Sequence, residues 1–450
     1  MPLRKFISEL EKGDVLQRVS VPVCPDLELA AITDRACKTR DGGNALLFEQ
    51  VTGFPFPLAT NLFGTSSRMA LALGVPSLEN FGQRLSDSLQ NSAGLNATER
   101  LKNLLGDDRL HPVIDPSPCC REVIAEPDLS IIPALRFWPK ETIPSLTLPL
   151  VFTAGPDTGE QNCGMYRVQI HDADCATINF GTSSGGNKHL DAWRKKNEPM
   201  PVAIVLGGDP ALIWAAGAPL PNKCDELQMA AWVTGRQQPV APCLSQLLQV
   251  PADAEFVIEG FIQPGETRTE GLFGNHTGGY VSNPAAPLFR VTAISHRHGA
   301  ICPATLVGPP PMEDCYLAKA SERLLLALLK IDYPQIRELH LPMETIFHGC
   351  ALLAVEGLKE GDGVELIRDL WSNSPLRRSK LLVLLDNDID IRNRSLSYWR
   401  TINRLAENRI LTDQGRIGID ATGIDPATLV EGDQETADLV MRRWPEYGLD

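Results

Sequence analysis

The stretch 259–280, EGFIQPGETRTEGLFGNHTGGY, constrains this chain more than any other. It packs three glutamates, one histidine and six glycines behind a run, Glu255-Phe-Val-Ile-Glu259, whose β-branched and aromatic content predicts a strand. That strand is expected to deliver a Gly-rich loop. Glycines let the backbone turn sharply or approach a ligand closely, and carboxylates between them can be aimed into a cleft. The same composition suits a solvated acidic hairpin. By itself the stretch leaves site and surface turn both open.

At 450 residues the chain is too long for one core of typical size, so two or three domains are expected. Its net charge of -14 and the lack of a dense Lys/Arg run argue against nucleic acid or an anionic membrane as partner. Small molecules are the expected ligands. No stretch approaches the roughly 20 apolar residues that span a bilayer, and the N-terminus has no signal-peptide core. The eleven cysteines are scattered, with Cys119-Cys120 adjacent and no C-x-x-C spacing, which argues against a cysteine metal site. A reducing, cytoplasmic location is the expectation.

Taken in order, Leu3, Phe6, Ile7 and Leu10 recur at helical spacing and Gly13 stops them. Strands are predicted at 15–23, 45–51 and 56–61 and a Thr/Ser-capped helix at 65–73, giving an N-terminal α/β domain over residues 1–116 that ends near Pro116-Ser-Pro118. Over residues 117–300 strands dominate, at 147–153, 166–170, 176–180, 202–206, 255–262 and 288–292, with helices at 191–196 and 225–234; this reads as a barrel-like β domain. Residues 301–450 alternate. Helices are predicted at 313–330, 364–370 and 395–406, and strands at 336–341, 351–355 and 380–385, the last an apolar run suited to a buried parallel strand in a C-terminal α/β layer domain.

Asn162-Cys-Gly-Met-Tyr-Arg167 reads as a turn-like start to the strand at 166–170. Together with Asp225-Glu226 after Pro219-Leu-Pro221, and with Pro309-Pro-Pro-Met-Glu-Asp-Cys315, its order and spacing resemble the UbiD family of prenylated-FMN-dependent decarboxylases, the 3-octaprenyl-4-hydroxybenzoate carboxy-lyase type. The resemblance runs over nearly the whole chain. It implies a central flavin-reductase-like split β-barrel, prenylated FMN, a divalent ion that is typically manganese, room for a monovalent cation, and a flavin prenyltransferase as supplier of the cofactor. It also implies a homodimer or larger homo-oligomer.

Removing carbon dioxide from an aromatic or α,β-unsaturated acid leaves electron density on carbon, and side chains supply no sink for it; a cofactor must. By resemblance, Arg167 is the catalytic arginine that orients the substrate carboxylate, and Glu270 the first of two acids that manage the proton. Read without the family, Arg167 is an ordinary strand arginine in a surface ion pair. Such an acid works best with its pKa near the operating pH, and a neighbouring arginine opposes the upward shift that burial brings. Glu266 is the stand-in should Glu270 be a turn residue. Asn162 and Glu226 match two of three metal ligands, oxygen donors that suit a hard cation beside a phosphate; alone, Glu226 reads as a glutamate at a helix N-terminus. Arg416 sits where a phosphate-contacting lysine is usual.

Three departures stand against the pattern. Ser183 occupies the third ligand's place, where the family has histidine, and Ser184 that of a basic residue; His189 nearby reads as a lone surface histidine. Asn275 replaces the second acid, and an amide is no proton donor of that kind, which leaves Glu270 or His276 to take its place. The segment between 406 and Arg416 is shorter than the family's apolar loop. A catalytically silent family member, structural or regulatory, is therefore the alternative to the enzyme. A flavoprotein using unmodified FMN for redox chemistry rests on the split-barrel analogy alone.

Overall fold

The computed structural model describes residues 1–90, 94–359, 361–423, 430 and 432–449. The chain divides into two compact units, Met1–Pro334 with Leu341–Ala351, and Gln335–His340 with Leu352–Asp450.

In the first unit the opening helix, Leu3–Lys12, buries the four apolar residues that predicted it. A four-stranded sheet follows in the order Leu16–Val19, Ala45–Phe48, Leu58–Thr60, Cys302–Pro303. The Ser66–Leu73 helix starts where Thr65 accepts the Arg68 N–H. Helices at Glu28–Cys37, Leu78–Leu89, Ala97–Leu105 and Pro210–Gly217 were not expected.

Among the described residues the largest sheet has nine strands. Its path runs Ser145–Leu146, Val168–Asp172, Cys175–Ile178, Ala286–His296, Ala254–Arg268, Met200–Gly207, Leu150–Ala154, Gln161–Met165, with Val123–Ala125 pairing off Ala286–His296. Every pairing is antiparallel, and the path ends at two separate edges without closing. The chain is thus mixed α/β around a split barrel, the class the sequence predicts.

Three local expectations change. Asn162 to Met165 is no turn: Gln161–Met165 is a strand laddered to Leu150–Ala154, and cross-strand pairing overrides the turn propensity of Asn-Cys-Gly. The strand predicted to end near 262 runs on to Arg268, its register shifting between Glu259 and Gly260 and between Ile262 and Thr267. Gly260 lies inside it; a Cβ there would sit 2.0 Å from the Arg290 carbonyl oxygen. The helix predicted from 191 begins at Gly185, where Ser184 Oγ accepts the Asn187 N–H at 3.2 Å. Gly-Gly hides that start because glycine is a poor helix former.

In the second unit the order is Ile336–His340, Cys350–Val355, Leu381–Asp386, Arg416–Ala421, Ile410–Asp413, with Leu381–Asp386 parallel to Arg416–Ala421 as its apolar run predicts. Among the described residues no helix is long and apolar enough to cross a membrane.

The Glu313–Asp332 helix begins with a buried carboxylate. Glu313 Oε1 accepts the Phe63 N–H at 2.7 Å, and burial pushes its pKa up to about 7. The folded value lies above the ordinary 4.5, so the stability this group contributes is full below about 4.5 and lost as pH rises through about 7. Glu313→Gln removes the titration. Between pH 5 and 8 the wild type should lose on the order of 3 kcal/mol relative to this variant, read from denaturant midpoints at both pH values; a gap that does not change with pH would refute the assignment.

Candidate active site

Arg167 lies at the break between the Gln161–Met165 and Val168–Asp172 strands, its carbonyl accepting the Asn179 N–H at 3.0 Å. Glu270 comes two residues after the long strand ends at Arg268. Its N–H donates to the Asn283 carbonyl at 2.9 Å and its own carbonyl accepts Ser282 Oγ at 2.8 Å, so the loop is tied across its base. The two side chains meet: Arg167 Nη2 donates to Glu270 Oε2 at 2.7 Å and Nε to Oε1 at 3.3 Å.

Two further donors converge on that carboxylate. Asn179 Nδ2 lies 2.7 Å and the Asn283 N–H 3.1 Å from Oε2. The Glu270 side chain is fully buried and that of Arg167 14% exposed. A buried ion pair of this kind is held by its extra hydrogen bonds, since burial alone opposes it. The Phe273 ring lies 4.4 Å from the guanidinium carbon, adding a cation–π contact. Arg167 Nη1 makes no hydrogen bond to any described residue. One edge of the guanidinium remains for a ligand.

The other residues of the glycine-rich stretch do different work. Glu266 pairs with Arg290 on the neighbouring strand and is no stand-in for Glu270, because its strand carries it to the sheet surface. Asn275 closes the tip of the Phe273–Gly274/Tyr280–Val281 hairpin: its Oδ1 accepts the Thr277 N–H at 2.9 Å and its N–H reaches the Gly279 carbonyl at 3.0 Å. This is an Asx turn. His276 is half-buried, its pKa lowered by burial, with its ring 5.1 Å from His348 and 5.8 Å from Phe347. Ile346 and Phe347 hold φ of +52° and +40°, strained values for a β-branched and an aromatic residue.

A second group forms around the start of the Gly185–Lys196 helix. Asn162 Nδ2 lies 3.4 Å from the Tyr166 hydroxyl, which accepts the Gly186 N–H at 3.3 Å. A Cβ on Gly185 would fall 1.8 Å from Asn162 Oδ1, so only glycine lets the helix start approach this amide. Glu226 opens the Glu226–Thr234 helix behind its Asp225 cap, and its Oε2 accepts the Cys163 N–H at 3.1 Å. Burial pushes Glu226 up to about 8, with Asp225 adding to the shift. The carboxylate thus reaches the backbone of Cys163, the residue after Asn162, whose own amide meets the start of the Gly185–Lys196 helix. An amide oxygen and a carboxylate that is costly to ionise uncompensated form a donor set suited to a hard cation, and a helix start suits an anion. Among the described residues no cluster of three or more His, Cys, Asp and Glu side chains forms a metal site.

Ser183 is exposed just before that helix. His189 is not a surface residue: it is half-buried on the inner face of the helix, its Nδ1 2.9 Å from Thr153 Oγ1, and burial lowers its pKa. Arg416 belongs to the second unit, where it pairs with Asp413, donates to the Arg377 carbonyl at 3.0 Å and lies 4.6 Å from the Trp371 ring. The sequence reading missed Asn179, Phe273 and Tyr166. A polar Asn179 ending the apolar strand Cys175–Ile178 was the available signal.

Three domain models of one family match the chain: the 3-octaprenyl-4-hydroxybenzoate carboxy-lyase N-terminal domain over residues 7–85, the Rift-related domain over 112–310 and the C-terminal domain over 315–421. An uncharacterized protein of Archaeoglobus fulgidus is 36% identical over 441 residues, 93% of this chain and 91% of its own length. One of Aquifex aeolicus is 34% identical over 424 residues, 93% of this chain and 87% of its own. Among solved structures, an evolved dimeric form of the UbiD-class enzyme HmfF from Pelotomaculum thermopropionicum, in complex with prFMN, aligns with TM-score 0.82 at 25% identity over 98% of this chain and 99% of that one. The closed form of Sedimentibacter hydroxybenzoicus vanillic acid decarboxylase has the same fold, with TM-score 0.86 at 22% identity over 100% and 99%. With all three of its domain models matched in order, the chain belongs to the UbiD family of 3-octaprenyl-4-hydroxybenzoate carboxy-lyases.

Proposed function

We propose that this chain is a non-oxidative decarboxylase, or in the reverse direction a carboxylase, of an aromatic or α,β-unsaturated carboxylic acid, using prenylated FMN held with a divalent ion, manganese by preference. The observation that carries the reading is the buried Arg167–Glu270 pair, with its extra donors and its one uncommitted guanidinium edge. That edge is the carboxylate anchor. Glu270 beside it takes up and passes on the proton that replaces carbon dioxide on the substrate carbon. Asn162 and Glu226 would hold the divalent ion, and the start of the Gly185–Lys196 helix beside Asn162 would favour the phosphate through its dipole. The bound cofactor supplies the electron sink that side chains lack. The enzyme works in the cytoplasm, receives its cofactor from a flavin prenyltransferase and assembles as a homodimer or larger homo-oligomer.

A silent subunit is the second reading, and Asn275 favours it: the side chain at the second acid's place is spent on a turn. The test is a panel of cinnamic, hydroxybenzoic and furoic acids with protein co-produced with the prenyltransferase, scored by release of carbon dioxide and by exchange with labelled bicarbonate. Turnover or exchange on one acid is expected. Neither reaction with cofactor-loaded protein would favour the silent reading.

A further inference from the structure

The two-residue strands Phe273–Gly274 and Tyr280–Val281 form a hairpin, and so short a ribbon is marginal by itself. Yet it carries Phe273 against Arg167 and follows directly on Glu270. What holds it is the turn at 137–143, which lacks regular structure and plays no part in the chemistry above.

Glu141 is completely buried and its contacts are backbone N–H groups instead of a cation. Its Oε2 accepts Phe137 N–H at 2.7 Å and Trp138 N–H at 3.3 Å; its Oε1 accepts Gly274 N–H at 2.9 Å. A buried carboxylate without a counter-ion is costly, and three N–H groups offset that cost only while hairpin and turn stay together. The Trp138 indole lies between two glycines. A Cβ on Gly274 would be 2.2 Å from its Cδ1 and one on Gly308 2.5 Å from its Cζ2, while its Nε1 donates to the Val307 carbonyl at 2.9 Å. Lys140 grips the other strand, its N–H 3.4 Å from the Tyr280 hydroxyl and its Nζ 5.6 Å from that ring. Gly271, next to Glu270, packs closely on Thr142 and Ile143, where a Cβ would lie 3.0 to 3.2 Å from their side chains.

We propose that Glu141 and Trp138 are positioning residues that clamp the 270–281 hairpin, so that Glu270 and Phe273 are held in one geometry against Arg167. The catalytic consequence rests on the decarboxylase reading; the clamp itself does not. In Glu141→Gln the Nε2 group faces an N–H donor in place of an acceptor. In Trp138→Phe the Nε1 donor is lost and the smaller ring no longer spans the gap between the two glycines.

Hydrogen exchange on the full-length, unliganded protein tests the clamp. Peptides spanning 268–283 should exchange about tenfold faster in Glu141→Gln, and by a smaller factor in Trp138→Phe, with the Met200–Gly207 and Ala254–Arg268 strands unchanged. On an acid that the loaded wild type turns over, kcat should fall about tenfold in Glu141→Gln with KM nearly unchanged. Unchanged hairpin exchange in both variants overturns the clamp, and a loosened hairpin with full kcat overturns its positioning role. If Glu141→Gln does not fold, Trp138→Phe decides by the same readings. If the wild type turns over nothing, the functional reading fails while hairpin exchange still decides the clamp.

Discussion

Glu270→Gln is expected to lower turnover by about a thousandfold while cofactor binding is retained. Glutamine matches the volume of the glutamate, so the buried site keeps its packing. It cannot accept the four donors that converge on the carboxylate, because its Nε2 is itself a donor meeting Arg167, Asn179 or the Asn283 N–H. Nor can it hold a proton for delivery to carbon. Cofactor content by absorbance, measured beside the rate, separates two roles. If the flavin is lost with the activity, Glu270 is part of the cofactor's seat and the proton-handling role is wrong.

The second large effect falls on the metal seat. Glu226→Gln should weaken divalent-ion binding about a hundredfold, since a hard cation prefers a charged oxygen and only Asn162 would remain from the expected pair. The fold has no reason to suffer. Glutamine Oε1 can still accept the Cys163 N–H, and the variant removes a carboxylate whose ionisation burial opposes. Titration with manganese, followed by calorimetry, and a thermal melt of the same sample make the check. Unaltered manganese affinity would move the metal away from Glu226; a collapsed melt would make its role structural.

How far the sequence carries can be read from particular residues. The helix of Leu3, Phe6, Ile7 and Leu10 and the strand at Leu381–Asp386 were legible because burial of one helix face writes a helical period into the sequence, and burial of both strand faces an unbroken apolar run. Arg167 and Glu270 were named as a pair by resemblance, and they do meet, 103 residues apart. Asn179 and Glu141 were not legible. The contacts that tie them to the site, to Glu270 and to Gly274, lie 91 and 133 residues away, and no local pattern marks a side chain whose use is set by so distant a partner. Asn275 looked like a lost acid, but the Asx turn it makes is local and Asn-His-Thr-Gly-Gly could have announced it. The Asn96–Glu99 capping box is likewise a plain start signal for the Ala97–Leu105 helix. At Gly185 the signal misled: a glycine pair reads as a loop, while here it opens a helix that must pass close to Asn162.

Whether these residues form a working cofactor site is decided by native mass spectrometry with an absorbance spectrum, on protein co-produced with a flavin prenyltransferase. The expected result is a mass increment of prenylated FMN with a divalent ion, and the matching flavin absorbance. A clean cofactor-free mass under those conditions would contradict it, and would make this chain a silent member of its family.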